Sequence, residues 1–186
     1  GHAGAHTLLH DAAQQSRFAE QPNAVCTTGI AALLASKSTA NPTRHIDSHS
    51  PLYMIYTSGS TGLPKGVEVI HQGETNLIQW YIREFGFNAR DRFLIVSATG
   101  FDLTQKNLFA PLCSGGQVVF HGQPYYDPAI IADIIARQGI TVINCAPSAL
   151  YPLIENPARY PRIASLRTVL LGGEPIRIDL VRRWLE

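Results

Sequence analysis

The sequence predicts an α/β fold, a largely parallel sheet with helices on both faces. From Leu52 onward, short runs rich in Val, Ile and Leu alternate with longer amphipathic stretches, and Gly, Pro, Asn or Asp punctuate the joints. Strands separated by helices of this length form βαβ units, whose parallel strands are buried on both sides and read as continuous apolar runs. Composition agrees: 186 residues, 45% apolar and only 16% charged, supply the material for one core.

Taken in order, residues 7–20 read as a helix, with Thr7 as N-cap and Leu8, Ala12, Gln15 and Phe18 or Ala19 on one stripe. Residues 27–36 lead into a loop-like stretch, 37–50, rich in Ser, Thr, Asn and Pro. Strands follow at residues 52–56, 67–70, 92–97, 117–120, 141–144 and 168–171. Between and after them, helices are expected at 73–84, 103–112, 128–137, 148–155 and 175–185. The expected organisation is an N-terminal helical segment (1–26), a connecting segment and loop (27–50), and an α/β subdomain (51–186). In such sheets ligands sit beyond the carboxyl ends of the strands.

Residues 53–67, YMIYTSGSTGLPKGV, stand out. An apolar strand feeds into Thr57, Ser58, Gly59, Ser60, Thr61 and Gly62, followed by Pro64, Lys65 and Gly66. A polyphosphate needs closely approaching backbone N–H groups, hydroxyl donors and a cation, and this stretch supplies all three. It is not a Walker loop, because Lys65 lies between Pro64 and Gly66 rather than before Ser or Thr. Nor does a G-x-G-x-x-G open a helix here. A Ser/Gly linker is the bland alternative, but a linker has no need of Lys between Pro and Gly.

The remaining composition narrows the function classes. A formal charge of +1 without a basic cluster gives no electrostatic case for nucleic acid. No apolar run is long enough to span a bilayer. Cys26, Cys113 and Cys145 are widely spaced and form no C-x-x-C, which argues against a disulfide framework or zinc site and suits a reducing cytoplasm. His2, His6 and His10 lie in a Gly/Ala context that suggests a terminal scar more than a metal site.

TSGSTGLPKG resembles the signature of the adenylate-forming, AMP-binding superfamily. Residues 53–67 as a whole resemble the form found in adenylation domains of nonribosomal peptide synthetases. The resemblance implies a flavodoxin-like subdomain of an enzyme that activates an amino acid with Mg-ATP, giving aminoacyl-AMP and pyrophosphate, and then loads a carrier-protein thiol. It implies phosphate contacts from Thr57, Ser58, Gly59, Ser60, Thr61, Gly62 and Lys65, with Lys65 and Thr57 in the catalytic role. It also implies an adenine and substrate wall at Gly172, Gly173 and Glu174, although Gly-Gly after a strand is by itself an ordinary turn. His71 and Asn76 match a similarly spaced family pair, and His71 serves equally well as a helix cap.

Phe101 and Asp102 match the family's Phe-Asp pair, whose aspartate holds the substrate ammonium. The alternative is that Asp102 caps the next helix, with Lys106 as a surface partner four residues on. By resemblance Leu103, Lys106, Asn144, Leu170 and Gly172 complete the amino-acid pocket. Lys106 and Asn144 make it polar and locally positive, suited to a side-chain carboxylate or amide.

The chain does not show the family's Tyr-Gly-Pro-Thr-Glu, Thr-Gly-Asp or C-terminal Gly-Lys segments, so the metal-binding glutamate is expected outside it. The early Tyr-containing and Gly/Tyr/Pro-rich motifs are also absent, which implies a piece of the pattern missing between Cys26 and Thr27. The expectation is a core fragment with negligible turnover alone, its partners an amino acid, a carrier-protein domain and the rest of the adenylation domain. Unpaired sheet edges allow a dimer. Two other readings stay open: a non-enzymatic, engineered or degenerate α/β module, and a fragment of an acyl- or aryl-CoA ligase.

Overall fold

The computed structural model describes residues 6–58, 63–123 and 125–186. Two compact units divide the chain, Gly1–Asp47 and Ser48–Glu186.

In the first unit a short strand, β1 (Leu8–His10), pairs in parallel with β2 (Ala24–Cys26), Leu8 opposite Ala24 and His10 opposite Cys26. A 3-10 turn, Ala12–Gln14, runs into a single helical turn, α1 (Gln15–Phe18). The helix expected over residues 7–20 is therefore corrected to strand, turn and short helix. The cause is non-local: Leu8 to His10 find a strand partner at residues 24–26, and Asp11 caps the turn, its Oδ1 accepting from the Gln14 N–H at 3.0 Å. Thr27 closes the loop back onto β1, its N–H donating to the His10 carbonyl at 2.7 Å. A further helix, α2 (Ala31–Ala35), lies within the segment preceding the loop.

The second unit holds two sheets. β3 (Pro51–Thr57) and β4 (Lys65–Ile70) form an antiparallel hairpin, with Tyr56 opposite Gly66 and Thr57 opposite Lys65. Chain length dictates this: a parallel crossover takes about a dozen residues or more, and the connection from Thr57 to Lys65 is shorter. The phosphate-like stretch thus joins two antiparallel strands rather than a strand and a helix of the parallel sheet.

Helix α3 (His71–Phe85) starts where β4 ends. After it come β5 (Arg92–Ile95), α4 (Asp102–Ser114), β6 (Gln117–Phe120), α5 (Pro128–Gln138), β7 (Val142–Cys145) and α6 (Pro147–Ile154). A 3-10 turn, Pro157–Arg159, then α7 (Tyr160–Ile163), β8 (Thr168–Leu171) and α8 (Ile178–Leu185) complete the chain. The four strands lie parallel in the order β6-β5-β7-β8. Helix ends follow local chemistry. Asp127 caps α5 by accepting from the Ala129 N–H at 2.8 Å, and Gly139 ends the helix at φ 59°, a conformation costly for residues with a Cβ.

Side-chain alternation along β5 and β7 separates two cores. Leu94, Ile143 and Cys145 face Ile131, Ile135, Leu150, Leu153 and Ile163 of α5, α6 and α7. Phe93 and Val142 face the other way, toward Ile78 and Tyr81 of α3, Phe87, and Ala110 of α4. At the amino ends of the strands a polar clasp ties the sheet. Arg167 donates to Asp91 Oδ1 at 2.6 Å, the Thr141 hydroxyl donates to the same oxygen at 2.9 Å, and the Asn88 N–H donates to Oδ2 at 2.9 Å.

Candidate functional site

At the open end of the hairpin, Thr57 and Lys65 sit side by side, both exposed, and Thr57 Oγ1 lies 3.5 Å from the Lys65 carbonyl oxygen. Ser58 is exposed beside them. Gly59, Ser60, Thr61 and Gly62 lie outside the described residues. A hydroxyl and an ammonium held at the mouth of one hairpin are the two donor types a phosphate needs.

A second group of predicted residues meets on the α3/α4 side of the parallel sheet. Phe101 is exposed and precedes α4; Asp102 opens the helix, also exposed, its Oδ1 accepting from the Leu103 N–H at 2.7 Å. Leu103 reaches Gly172, just beyond β8: a Cβ built there would lie 3.3 Å from Leu103 Cδ1. That spacing keeps the strand end close to α4. Asn144 on β7 pairs in register with Leu170 on β8, so both belong to this same side. Gly172 hydrogen-bonds from its N–H to the Cys145 carbonyl at 3.3 Å, and Gly173 turns the chain at φ 86°.

Lys106 is half-buried rather than a solvent-facing partner of Asp102. Its Nζ stands 5.7 Å from the centroid of the Tyr81 ring and donates to the Leu103 carbonyl at 3.4 Å. Burial pushes its pKa below the ordinary lysine value, while the carboxylates of Asp102 and Glu74 pull in the opposite direction.

Glu174 is engaged elsewhere. Its Oε2 accepts from the Ser148 N–H at 3.0 Å and its Oε1 from the Ser148 hydroxyl at 2.9 Å, which caps the start of α6 with a carboxylate. The nearby Cys145 thiol is pushed up to about 12 by burial, with Glu174 adding to the shift.

Sequence reasoning missed four residues that the fold brings to this place: Tyr53, Glu74, Tyr81 and Asn107. The Tyr81 hydroxyl donates to Asn107 Oδ1 at 3.0 Å, and Asn144 Nδ2 approaches the Tyr81 oxygen and Asn107 Oδ1 at 3.5 and 3.4 Å. Asn107 also donates to the Leu103 carbonyl at 2.7 Å. Tyr53 reaches from β3 to donate to Glu74 Oε2 at 3.1 Å, and its own pKa is raised to about 12 by burial first and then by the Glu74 carboxylate. Glu74 is 2% exposed, and its Oε1 has no partner among the described residues. The available signal was spacing: Glu74, Ile78 and Tyr81 share the buried stripe of α3, where a carboxylate at a core position is out of place.

The hairpin carries a hydroxyl and a lysine at its open end, and Leu103, Asn144, Leu170 and Gly172 come together at the carboxyl ends of β7 and β8. The chain belongs to the AMP-binding enzyme family, whose profile it matches over residues 2–186. It is 38% identical over 155 residues to syringomycin synthase SyrB1 of Pseudomonas syringae pv. syringae, covering 82% of this chain and 25% of that protein. Pyochelin synthetase PchE of Pseudomonas aeruginosa is 42% identical over 132 residues, 70% of this chain and 9% of that protein. The nonribosomal peptide synthetase FmoA3, solved with α-methyl-L-serine-AMP, superposes with a TM-score of 0.85 at 27% identity, over 98% of this chain and 20% of that one. The chain therefore spans a quarter or less of the length of these proteins.

Among the described residues no group of three or more His, Cys, Asp or Glu side chains is arranged to hold a metal. No helix of the described residues is long and apolar enough to cross a membrane.

Proposed function

We propose that this chain is the core of an amino-acid-activating adenylation domain in nonribosomal peptide synthesis. In the reaction a carboxylate oxygen of the amino acid attacks the α-phosphorus of ATP, a P–O bond forms and pyrophosphate leaves. The thiol of a carrier protein then attacks the acyl carbon and AMP departs. Within this chemistry Lys65 and the hydroxyls of Thr57, Ser58, Ser60 and Thr61, with the backbone of Gly59 and Gly62, hold phosphate oxygens and offset their charge. Asp102 accepts the substrate ammonium and so orients the carboxylate for attack. Leu103, Lys106, Asn144, Leu170 and Gly172 line the side-chain pocket, with Phe101 at its entrance and Gly172–Glu174 forming a flat wall. Magnesium offsets phosphate charge when bound. The rest of the adenylation domain would supply its ligands and the lid. The free thiols of Cys26, Cys113 and Cys145 suit a cytoplasmic setting.

The observation that carries this reading is the meeting of Leu103 with Gly172, one residue from Asp102 on α4 and across from Asn144 and Leu170 on the sheet. Three elements distant in sequence, α4, β7 and β8, thus bring expected substrate-site residues together.

Calorimetric titration with aminoacyl-sulfamoyl adenosines tests it. Glutaminyl-sulfamoyl adenosine is expected to bind, and its des-amino counterpart to bind about tenfold to a hundredfold more weakly, the loss of one charge-assisted bond. Asp102→Asn is expected to erase that difference. Equal binding of the two analogues by the unaltered chain would favour an acyl- or aryl-CoA ligase, which has no ammonium to anchor. No binding of either to a chain that is folded by circular dichroism would favour a purely structural module.

A further inference from the structure

The hairpin that carries Thr57 and Lys65 is fastened to α3 at two levels. At its base the backbone does so: the His71 N–H donates to the Ser50 carbonyl at 3.1 Å, and the Gln72 N–H to the Ser48 carbonyl at 2.8 Å. Farther along β3, the Tyr53 hydroxyl reaches across to Glu74 and donates to Oε2 at 3.1 Å. The acceptor is an unusual one for its place. Glu74 is 2% exposed, shares the buried stripe of α3 with Ile78 and Tyr81, and leaves Oε1 without a partner among the described residues. A leucine would fill that place at a lower cost of desolvation, so packing does not account for the carboxylate. The bond from Tyr53 does. Burial, and then the Glu74 carboxylate, raises the Tyr53 pKa to about 12, so the hydroxyl stays a donor near neutrality.

Alternation decides what that bond controls. Side chains two residues apart on a strand share a face, and so do directly opposed residues of an antiparallel pair. Tyr53, Ile55 and Thr57 therefore share one face of the hairpin with their partners Val69, Val67 and Lys65. The face that Tyr53 turns to α3 is the face from which Thr57 and Lys65 project. Burial fades along it: Tyr53, Ile55 and Val69 are half-buried, whereas Thr57, Lys65 and Val67 are exposed. Thr57 lies about 13 Å beyond Tyr53 along the strand. A two-stranded hairpin has little stability of its own, and the Tyr53–Glu74 bond is its last side-chain hydrogen bond to α3 among the described residues.

We propose that Tyr53 and Glu74 are positioning residues, whose hydrogen bond pins the hairpin to α3 and so sets the place of Thr57 and Lys65 toward a bound polyphosphate. The anchor is firm, because α3 is seated in the core through Ile78 and Tyr81 and packs against α4, the helix that Asp102 opens. The same bond thus fixes the phosphate-holding end relative to the residues expected to hold the amino acid. The polyphosphate half of this inference rests on the reading proposed above; the pin itself does not.

Two measurements on the chain test it. Amide hydrogen exchange followed by NMR reads the pin without a ligand. Tyr53→Phe keeps the ring and removes the donor; residues 54–57 and 65–68 are expected to exchange about fivefold to tenfold faster, while 92–95 and 142–145 of the parallel sheet keep their rates. Glu74→Gln keeps an acceptor and is expected to stay within about twofold of the unaltered chain, whereas Glu74→Leu fills the place without one and is expected to match Tyr53→Phe. Unchanged hairpin exchange in Tyr53→Phe, or an acceleration shared equally by the parallel sheet, overturns the pin. For the polyphosphate half, calorimetric titration compares β,γ-imido-ATP with adenosine. Tyr53→Phe and Glu74→Leu are expected to weaken the triphosphate about tenfold and to leave adenosine unchanged, with Glu74→Gln close to the unaltered chain. Equal loss for both ligands, or no loss for either, overturns the positioning role. If the hairpin loosens in Tyr53→Phe but the unaltered chain binds neither ligand, the pin stands and the polyphosphate half fails with the proposed function.

Discussion

The two faces of the four-stranded sheet are built from the same strands yet obey different rules. On the α5–α8 side, Leu94, Ile143, Ile131, Ile135, Leu150 and Leu153 pack around the buried Cys145 thiol, with Tyr126 partly buried against them. On the α3/α4 side the apolar cluster is smaller, and it shares its space with Glu74, Asn107, Asn144, the Tyr81 hydroxyl and the stem of Lys106. Burying polar groups gains little net stability even when they are satisfied, and costs it when they are not. The contrast teaches that one face is packed for stability and the other buries polar groups at some expense in stability.

The largest effect should come from breaking the scaffold face. Leu150 is fully buried on α6, and Leu150→Ala removes its contacts and leaves a cavity, a loss of about 2–5 kcal/mol. Urea denaturation followed by circular dichroism reads this directly. A loss smaller than that of an equivalent truncation at Ile78 on the opposite face would invert the comparison.

The polar clasp at the amino ends of the strands supports both faces and gives an intermediate effect. Burial by itself would raise the Asp91 pKa, but the bonds from Arg167, the Asn88 N–H and the Thr141 hydroxyl outweigh it and hold the carboxyl below its ordinary value of 3.8. With the folded value depressed, the contribution to stability is complete above the ordinary value and is lost as the pH falls below it, through the folded value. Arg167 is about half exposed, so solvent screens the pair, and Arg167→Ala is expected to cost about 1 kcal/mol near neutrality. Its acid-denaturation profile between about pH 5 and pH 2 should be flatter than that of the unaltered chain. Equal steepness in both would remove Arg167 from the clasp's electrostatics.

How much of this was legible in the sequence also differs by region. β6 and β8 fall at residues 117–120 and 168–171 as their Val- and Leu-rich runs predict, although as the edge strands of the sheet they are only partly buried. Residues 7–20 misled, since a helical stripe from Leu8 to Phe18 says nothing of the partner strand at residues 24–26. The hairpin around the phosphate-like stretch was implicit in its short connection, but a strand followed by Gly and Lys reads just as naturally as a strand-to-helix turn. Asp102, Leu103 and Lys106 could be placed on one helix by spacing alone. Glu74 shares a stripe with Ile78 and Tyr81, but that spacing is easily passed over, because a glutamate in an amphipathic helix reads as solvent-facing until Tyr53 of β3 reaches it.

The smallest change sharpens the comparison most, because it separates the two jobs of Tyr81 on the polar face. The hydroxyl ties Asn107 to Asn144, and the ring supports the Lys106 ammonium. Tyr81→Phe deletes the hydroxyl and keeps the ring. Asn107 Oδ1 retains Asn144 Nδ2 as a donor, so the expected cost is about 0.5–1.5 kcal/mol, below that of either substitution on the scaffold. A phenyl face attracts an ammonium about as well as a phenol does, so the Lys106 titration should stay where it is. If Tyr81→Phe shifted Lys106 strongly, as read by NMR titration of ¹³C-labelled lysine side chains, the hydroxyl and the ring would act as one undivided network rather than as two separable supports.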